Sequence, residues 1–118
     1  MVVEIWKVHS WGYRSITFKK RFNIPSAPFI GLSILEENEE DDHRIEIYDN
    51  DYVSSNITYR ISDQTYEVNI RHNWGRNGGV SADHIRYEVE KFKDFGWEMI
   101  SEESQVKEMI DWARKQVY

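Results

Sequence analysis

The chain has 118 residues, a formal net charge of −6, no cysteine and 14% aromatic residues. This length suits one domain with its own core, and the absence of cysteine excludes disulfides, thiolate catalysis and Cys-ligated zinc. An acidic chain also disfavours binding of duplex nucleic acid, because phosphate neutralisation supplies most of that affinity.

Strand-like patterns fill the first two-thirds of the chain. Apolar residues alternate with polar ones, or recur without a helical stripe, in residues 2–8, 15–24, 29–35, 44–48, 57–62 and 66–74. Polar turns at residues 49–51 and 62–64 favour tight antiparallel connections, so we expect mostly a meander. The acidic residues 36–42 are predicted to form a mobile, solvated hairpin loop that buries nothing.

The hydrophobic period changes to that of a helix after Gly79. Ser81 is the predicted N-cap of a first helix that ends at Gly96, and Ser101 is the predicted N-cap of a second. A short strand over residues 97–100 lies between them. We therefore predict a single α+β domain over residues 1–118, in which two C-terminal helices pack on one face of a mostly antiparallel sheet of about six strands.

Two short segments of similar composition follow predicted strands. The first runs from His9 to Arg14 and the second from His72 to Arg76, and each places an imidazole, an indole and a guanidinium around a glycine. Such groups hydrogen-bond, stack and neutralise an anion. We therefore predict a ligand site made by the following residues if the two strands are neighbours: His9, Trp11, Tyr13, Arg14, His72, Asn73, Trp74, Arg76, Asn77 and Gly78.

Each segment has a structural alternative. The glycine-rich residues 75–79 precede a helix start, where backbone N–H groups attract anions, but they also suit a flexible connection. Trp11 and Gly12 fit a hairpin turn whose indole covers the core.

The outward side of the predicted sheet combines basic and polar residues. Its members are Thr17, Lys19, Arg21, Arg44, Thr58, Arg60, Asn69 and Arg71, interrupted by Glu46 and Glu67. This face could dock an acidic partner or a single nucleic-acid strand, or it could be an ordinary polar face with cross-strand ion pairs.

The leading function class is a non-enzymatic binding protein that occupies or sequesters a protein partner, as immunity proteins, antitoxins and phage-encoded inhibitors of defence systems do. The acidic residues 36–42 could serve such a role by mimicking phosphates. Because five Trp, seven Tyr and five Phe exceed what a small core hides, surface aromatics could also support a homodimer or higher oligomer.

Two other function classes remain open. One is a binder of a small anionic ligand such as a nucleotide, and the other is a metal-independent nuclease that uses His9 and His72 for acid–base chemistry. We expect no enzyme activity, no cofactor and no metal site, since residues 49–51 lack the other ligands of a calcium loop. With no basic leader and no run of about 18 apolar residues, the expected location is cytoplasmic, away from membranes.

Overall fold

The structure is a computed structural model that describes residues 1–74 and 81–115. Its elements are β1 (Val2–Trp11), β2 (Arg14–Asn23), β3 (Ser33–Glu37), β4 (Asp42–Glu46), β5 (Val53–Arg60), β6 (Thr65–Asn73), α1 (Ala82–Asp94), β7 (Glu98–Met99) and α2 (Glu103–Arg114). The strands form a five-stranded sheet in the order β5-β6-β1-β2-β7 and a separate β3–β4 pair. The predicted α+β class with two C-terminal helices is confirmed, although the strands divide between two sheets instead of forming one.

The hairpin of β1 and β2 builds the centre of the main sheet. The two strands pair antiparallel from Val2 opposite Asn23 to Trp11 opposite Arg14. Gly12 stands at the turn with a φ of +66°, a left-handed conformation that glycine adopts without steric strain. Because side chains alternate along a strand, one face of β1 points toward the helices and into the core.

The strand β6 lies on the other side of β1 and runs parallel to it. The expectation of a meander fails at this pair, because a meander gives only antiparallel neighbours. After β2 the chain leaves the main sheet to form the β3–β4 hairpin, and it returns along the far side of β1 through β5 and β6. This return brings the carboxyl ends of β1 and β6 together.

Both helices pack their apolar stripes into the same core. Val89 and Phe92 of α1 and Met109 of α2 are buried there with the inward residues of β1, β2 and β6. Ser81 caps α1 as predicted, since its Oγ accepts a hydrogen bond from the backbone N–H of His84 at 3.3 Å.

The predicted N-cap of the second helix is wrong by one residue. Glu102 is the N-cap of α2, and its N–H donates to the Oε1 atom of Gln105 at 3.0 Å. The Oγ atom of Ser101 instead accepts a hydrogen bond from the backbone N–H of Thr17 in β2, at 3.0 Å. This bond ties the start of α2 to the main sheet, which a pattern of local residues does not reveal.

The expectation that residues 36–42 bury nothing is also wrong. Glu36 is buried, and its carboxylate accepts hydrogen bonds from the Lys20 ammonium, the His43 ring and the Trp97 indole. Although burial acts to raise its pKa, these three donors hold the pKa of Glu36 below its ordinary value. The polar group Lys20, Glu36, His43 and Trp97, called the Glu36 network below, fastens the small sheet to β2 and to the segment after α1.

Candidate functional site

The two predicted His-x-Trp segments are neighbours in the main sheet. In the parallel register of β1 and β6, His9 lies beside His72 and Ser10 lies beside Asn73. The backbone N–H of Trp74 extends this pairing by donating to the carbonyl of Ser10 at 2.8 Å. Both strands therefore end at one edge, on the approach to α1. The carboxyl ends of parallel strands are a common place for ligand sites.

A hydrogen bond fixes the tautomer of the His9 ring. The Nε1–H of Trp74 donates to Nδ1 of His9 at 2.8 Å. Because an indole nitrogen only donates, Nδ1 is the unprotonated nitrogen, and the neutral ring carries its proton on Nε2. This tautomer follows from the bonding pattern, which is how ring protons are assigned in proteins.

Other rings hold this pair in place. His72 stacks on Trp74 with ring centroids 3.5 Å apart, and His84 of α1 meets Trp74 edge-on at 4.6 Å. Trp11 lies nearly parallel to His9 at 5.9 Å. These five residues, His9, Trp11, His72, Trp74 and His84, are called the His–Trp cluster.

A cleft of about 270 Å³ opens beside the His–Trp cluster. The main sheet contributes Lys7, His9, His72 and Trp74 to its lining. The rest of the lining comes from the segment around β4 and from α1, namely His43, Arg44, Ile45, Glu46, Tyr48, Tyr87, Glu88, Lys91 and Phe92. This volume is near the lower end of the range for small-molecule sites, so the cleft suits a small ligand.

The His9 ring presents an unsatisfied donor. Its Nε2 atom has no hydrogen-bond partner in the described part of the chain, and the residue is only 1% exposed. An unpaired buried polar group costs about 1–3 kcal/mol, so each one in a native protein calls for an explanation. Trp11 Nε1 and Asn73 Oδ1 are also unpaired among the described residues, but neither residue lines the cleft.

The charged groups of the cleft are three cations and two carboxylates. Lys7, Arg44 and Lys91 line the cleft together with Glu46 and Glu88, and the remaining positive charge is offset by Asp41, which pairs with Lys91 from outside the lining. No ion pair or side-chain hydrogen bond holds Lys7 or Arg44 within residues 1–74 and 81–115, whereas Lys91 pairs with Asp41 at 3.2 Å.

Burial changes the ionisation of the groups on the main sheet. Desolvation lowers the pKa of Lys7 to about 8, although Glu88 and Glu46 act in the opposite direction. Desolvation, Lys7 and His84 lower the pKa of His72 to about 4. The pKa of His9 also lies well below its ordinary value, because of burial first and of the nearby Lys7 second. At neutral pH both rings are therefore neutral, while Lys7 carries most of a positive charge.

The structure divides the predicted site residues into separate groups. His9, His72 and Trp74 line the cleft, whereas Trp11 is 1% exposed and has no ring face open for stacking on a ligand. Tyr13 lies on the turn after β1 with its side chain fully exposed.

The remaining predicted residues lie away from the cleft or outside the described chain. Arg14 contacts α2, since its guanidinium lies 4.5 Å from the ring centroid of Trp112. Asn73 lines a different surface depression, beside Arg71. Gly75, Arg76, Asn77 and Gly78 fall outside the described residues.

The charged residues of the cleft were not among the predicted site residues. Lys7 carried a usable signal, because it occupies an inward position of β1 two residues after Ile5 and two before His9. A lysine in that register is unusual among core positions. Glu46 and Glu88 carried no such signal, since they reach the cleft from β4 and α1 only through the tertiary fold.

The sheet face opposite the helices is polar, and ion pairs join several of its cations to carboxylates. These pairs are Arg21–Glu4 at 3.1 Å, Arg60–Glu67 at 3.0 Å and Lys19–Glu98 at 3.8 Å. Arg44 and Glu46, which were predicted for this face, belong to the small sheet and line the cleft. The cross-strand ion pairs fit the alternative of an ordinary polar face.

No group of three or more potential metal-ligating side chains has the arrangement of a metal site in the part of the chain that the structure describes. Neither described helix has the length and apolar character needed to cross a membrane. Comparison of the chain with family models, curated proteins and solved structures found no match.

Proposed function

We propose that the protein binds a small anionic ligand, such as a nucleoside monophosphate, in the cleft beside the His–Trp cluster, and that it acts by holding this ligand. The observation that carries the proposal is the buried Nε2–H of His9, a residue that lines the cleft, because this donor has no partner among the described residues. Its tautomer is set by Trp74, so the ring offers a hydrogen-bond donor and not an acceptor. A phosphate or carboxylate oxygen is the complement of that donor.

Lys7 supports the same class of ligand. Its ammonium lines the cleft without an ion pair in the described chain, so an anion would supply the close partner that it lacks. His72 and Trp74, whose rings stack on each other, also line the cleft, so aromatic side chains would lie beside the bound ligand. The cleft volume of about 270 Å³ limits the ligand to one of small size.

Titration followed by two-dimensional NMR tests the proposal. We expect adenosine, guanosine, cytidine and uridine monophosphates, or inorganic phosphate, to shift the ring resonances of Trp74 and His72 in a saturable manner. Replacing Lys7→Met should weaken the affinity at least about tenfold, which corresponds to about 1.4 kcal/mol. Lys107→Met on the exposed surface of α2 is the matched control and should leave the affinity unchanged.

Two results would overturn this function. One is the absence of saturable shifts with every anion of the panel, and the other is an equal affinity of the wild type and Lys7→Met. Affinity should also fall as the pH rises through about 8, because Lys7 then loses the charge that attracts the anion.

The nuclease class is less well supported than ligand binding. General acid catalysis needs a protonated imidazole near neutral pH. The pKa of His72 is lowered to about 4, and that of His9 is also lowered, so neither ring holds a second proton under those conditions. RNA cleavage that disappears in His72→Ala would reverse this ranking.

A protein partner is the second candidate function, and the observation that favours it is Tyr13. This side chain is fully exposed at the tip of the β1–β2 hairpin, next to the Arg14–Trp112 contact. Tyrosine and arginine are enriched among residues that dominate protein interfaces. If the protein acts by binding a protein partner through Tyr13, the Tyr13→Ser variant should not form the complex that the wild type forms in its native cells. The Lys7→Met variant should still form this complex.

A further inference from the structure

Lys7 occupies a position that calls for an explanation beyond charge attraction. It lies on the inward side of β1 between Ile5 and His9, where other positions are filled by core residues. Its side chain is half-buried and lines the cleft. A lysine at the protein surface would keep its ammonium in water, whereas this one ends inside a small cleft.

The surroundings of Lys7 differ from those of a structural lysine. Lys20, the inward lysine of β2, donates to the Glu36 carboxylate and to the carbonyl of Phe95. Lys7 has no such bond with any described residue, and the carboxylates of Glu46 and Glu88 act on it from longer range than an ion pair. Its amine is therefore unengaged by any residue of the described chain, and Glu46 and Glu88 are two nearby groups that can receive a proton.

We infer that Lys7 is an imine-forming amine, and that the ligands of the cleft include small anionic carbonyl compounds, such as aldehydes with a phosphate group or 2-oxo acids. This inference rests on the proposed anion site, which would hold the charged end of such a ligand.

The chemistry uses groups that the cleft contains. Lys7 first loses a proton to Glu88, Glu46 or water, and the nitrogen lone pair then attacks the carbonyl carbon while the π electrons move to oxygen. A proton then passes from this nitrogen to that oxygen, which gives a neutral carbinolamine. Loss of water leaves a carbon–nitrogen double bond, so an amine and a carbonyl compound become an imine and one water molecule. No oxidant or reductant takes part, and hydrolysis returns both reactants. A lysine with a lowered pKa suits this reaction, because more of it is unprotonated near neutrality.

Reductive trapping of the full chain tests the inference. The protein is treated with substoichiometric pyridoxal 5′-phosphate, and separately with glyoxylate, in the presence of cyanoborohydride, which adds hydride to the imine carbon. Fragment-ion mass spectrometry then locates the adduct and separates Lys7 from the α-amine of Met1. We expect Lys7 to be labelled at least about tenfold faster than Lys107, with a rate that rises around pH 8. Lys7→Arg should remove this adduct, and Lys107→Arg should not.

The outcomes separate this inference from the function on which it rests. Labelling that spreads over exposed lysines without preference for Lys7 overturns the imine, even if nucleotides or phosphate still bind to the cleft. Preferred labelling of Lys7 that a bound nucleotide or phosphate suppresses supports both. Preferred labelling without any such competition supports the reactive amine but contradicts a shared anion site.

Discussion

The Glu36 network and the cleft beside the His–Trp cluster bury ionisable groups around the same core, yet they differ in how these groups are paired. In the Glu36 network, one buried carboxylate accepts from Lys20, His43 and Trp97. In the cleft, neither the Lys7 ammonium nor the Nε2–H of His9 has a close partner among the residues that the structure describes.

The two regions show two different roles of a buried charged group. A charge surrounded by hydrogen-bond donors specifies how elements dock, and its removal damages the fold. A charge left without a close partner destabilises the folded state, so its presence in a cleft indicates a site for a ligand that pairs with it. Lys20 on β2 is an example of the paired case, and Lys7 on the adjacent strand β1 is an example of the unpaired case.

The largest expected effect concerns the paired region. Glu36→Gln removes the negative charge that Lys20 and His43 face inside the protein, and removing one partner of a buried pair costs about 3 kcal/mol. We expect a loss of this order in the free energy of unfolding, measured by urea denaturation at pH 7. The exposed neighbour gives a matched control, since Glu37→Gln should change stability by less than about 0.5 kcal/mol.

The difference in the free energy of unfolding between Glu36→Gln and the wild type should depend on pH in a defined direction. The pKa of Glu36 is lower in the folded protein than its unfolded value of 4.5. Its stabilisation is therefore complete above the unfolded value and is lost as the pH falls through the folded pKa. A stability gap that stays constant under acid conditions would show that the carboxylate charge has no part in the network.

In the cleft, where Lys7 has no ion pair with a described residue, we expect a smaller change in the free energy of unfolding, of opposite sign. Lys7→Met keeps the aliphatic stem and removes a half-buried ammonium, so we expect the free energy of unfolding to rise by about 1–2 kcal/mol at pH 7, after allowance for solvent screening. The same change at the paired lysine, Lys20→Met, should lower it. Equal losses in the two variants would contradict the distinction between the regions.

The increase in the free energy of unfolding caused by Lys7→Met should also vary with pH. The folded-state pKa of about 8 is below the unfolded value of 10.5, so the folded protein releases this proton first. The destabilisation caused by Lys7 is complete below pH 8 and disappears as the pH rises toward 10.5. Urea denaturation of both proteins at pH 7 and pH 10 checks this sign.

Local patterns predicted much of the fold and only part of the site. The alternation in β2, the cap at Ser81 and the stripe of α1 are properties of neighbouring residues, so they were visible in sequence. The parallel pairing of β1 with β6 depends on where the β3–β4 hairpin leaves the sheet, which no local signal encodes. The similarity of the two His-x-Trp segments suggested a shared site. The burial of Trp11 and the position of Glu88 on the lining of the cleft, however, follow from tertiary packing.

The smallest expected effect concerns the hydrogen bond that orients His9. Trp74→Phe keeps a ring next to His72 but removes the indole N–H, and the loss of one hydrogen bond costs about 1 kcal/mol. Glu88 Oε2 lies 4.0 Å from the Nδ1 atom of His9. In the variant we expect the proton to move to Nδ1, facing this carboxylate, which long-range ¹H–¹⁵N NMR of the imidazole detects.

This change of tautomer links the structural bond to the proposed function. With the proton on Nδ1, the Nε2 atom of His9 becomes an acceptor, and its lone pair opposes an anion in the cleft. Ligand affinity in Trp74→Phe should therefore fall together with the change in the His9 resonances. Trp112→Phe, whose ring lies beneath Arg14 away from the cleft, is the control for removing an indole. An unchanged tautomer with reduced affinity would mean that Trp74 acts through contact with the ligand and not through His9.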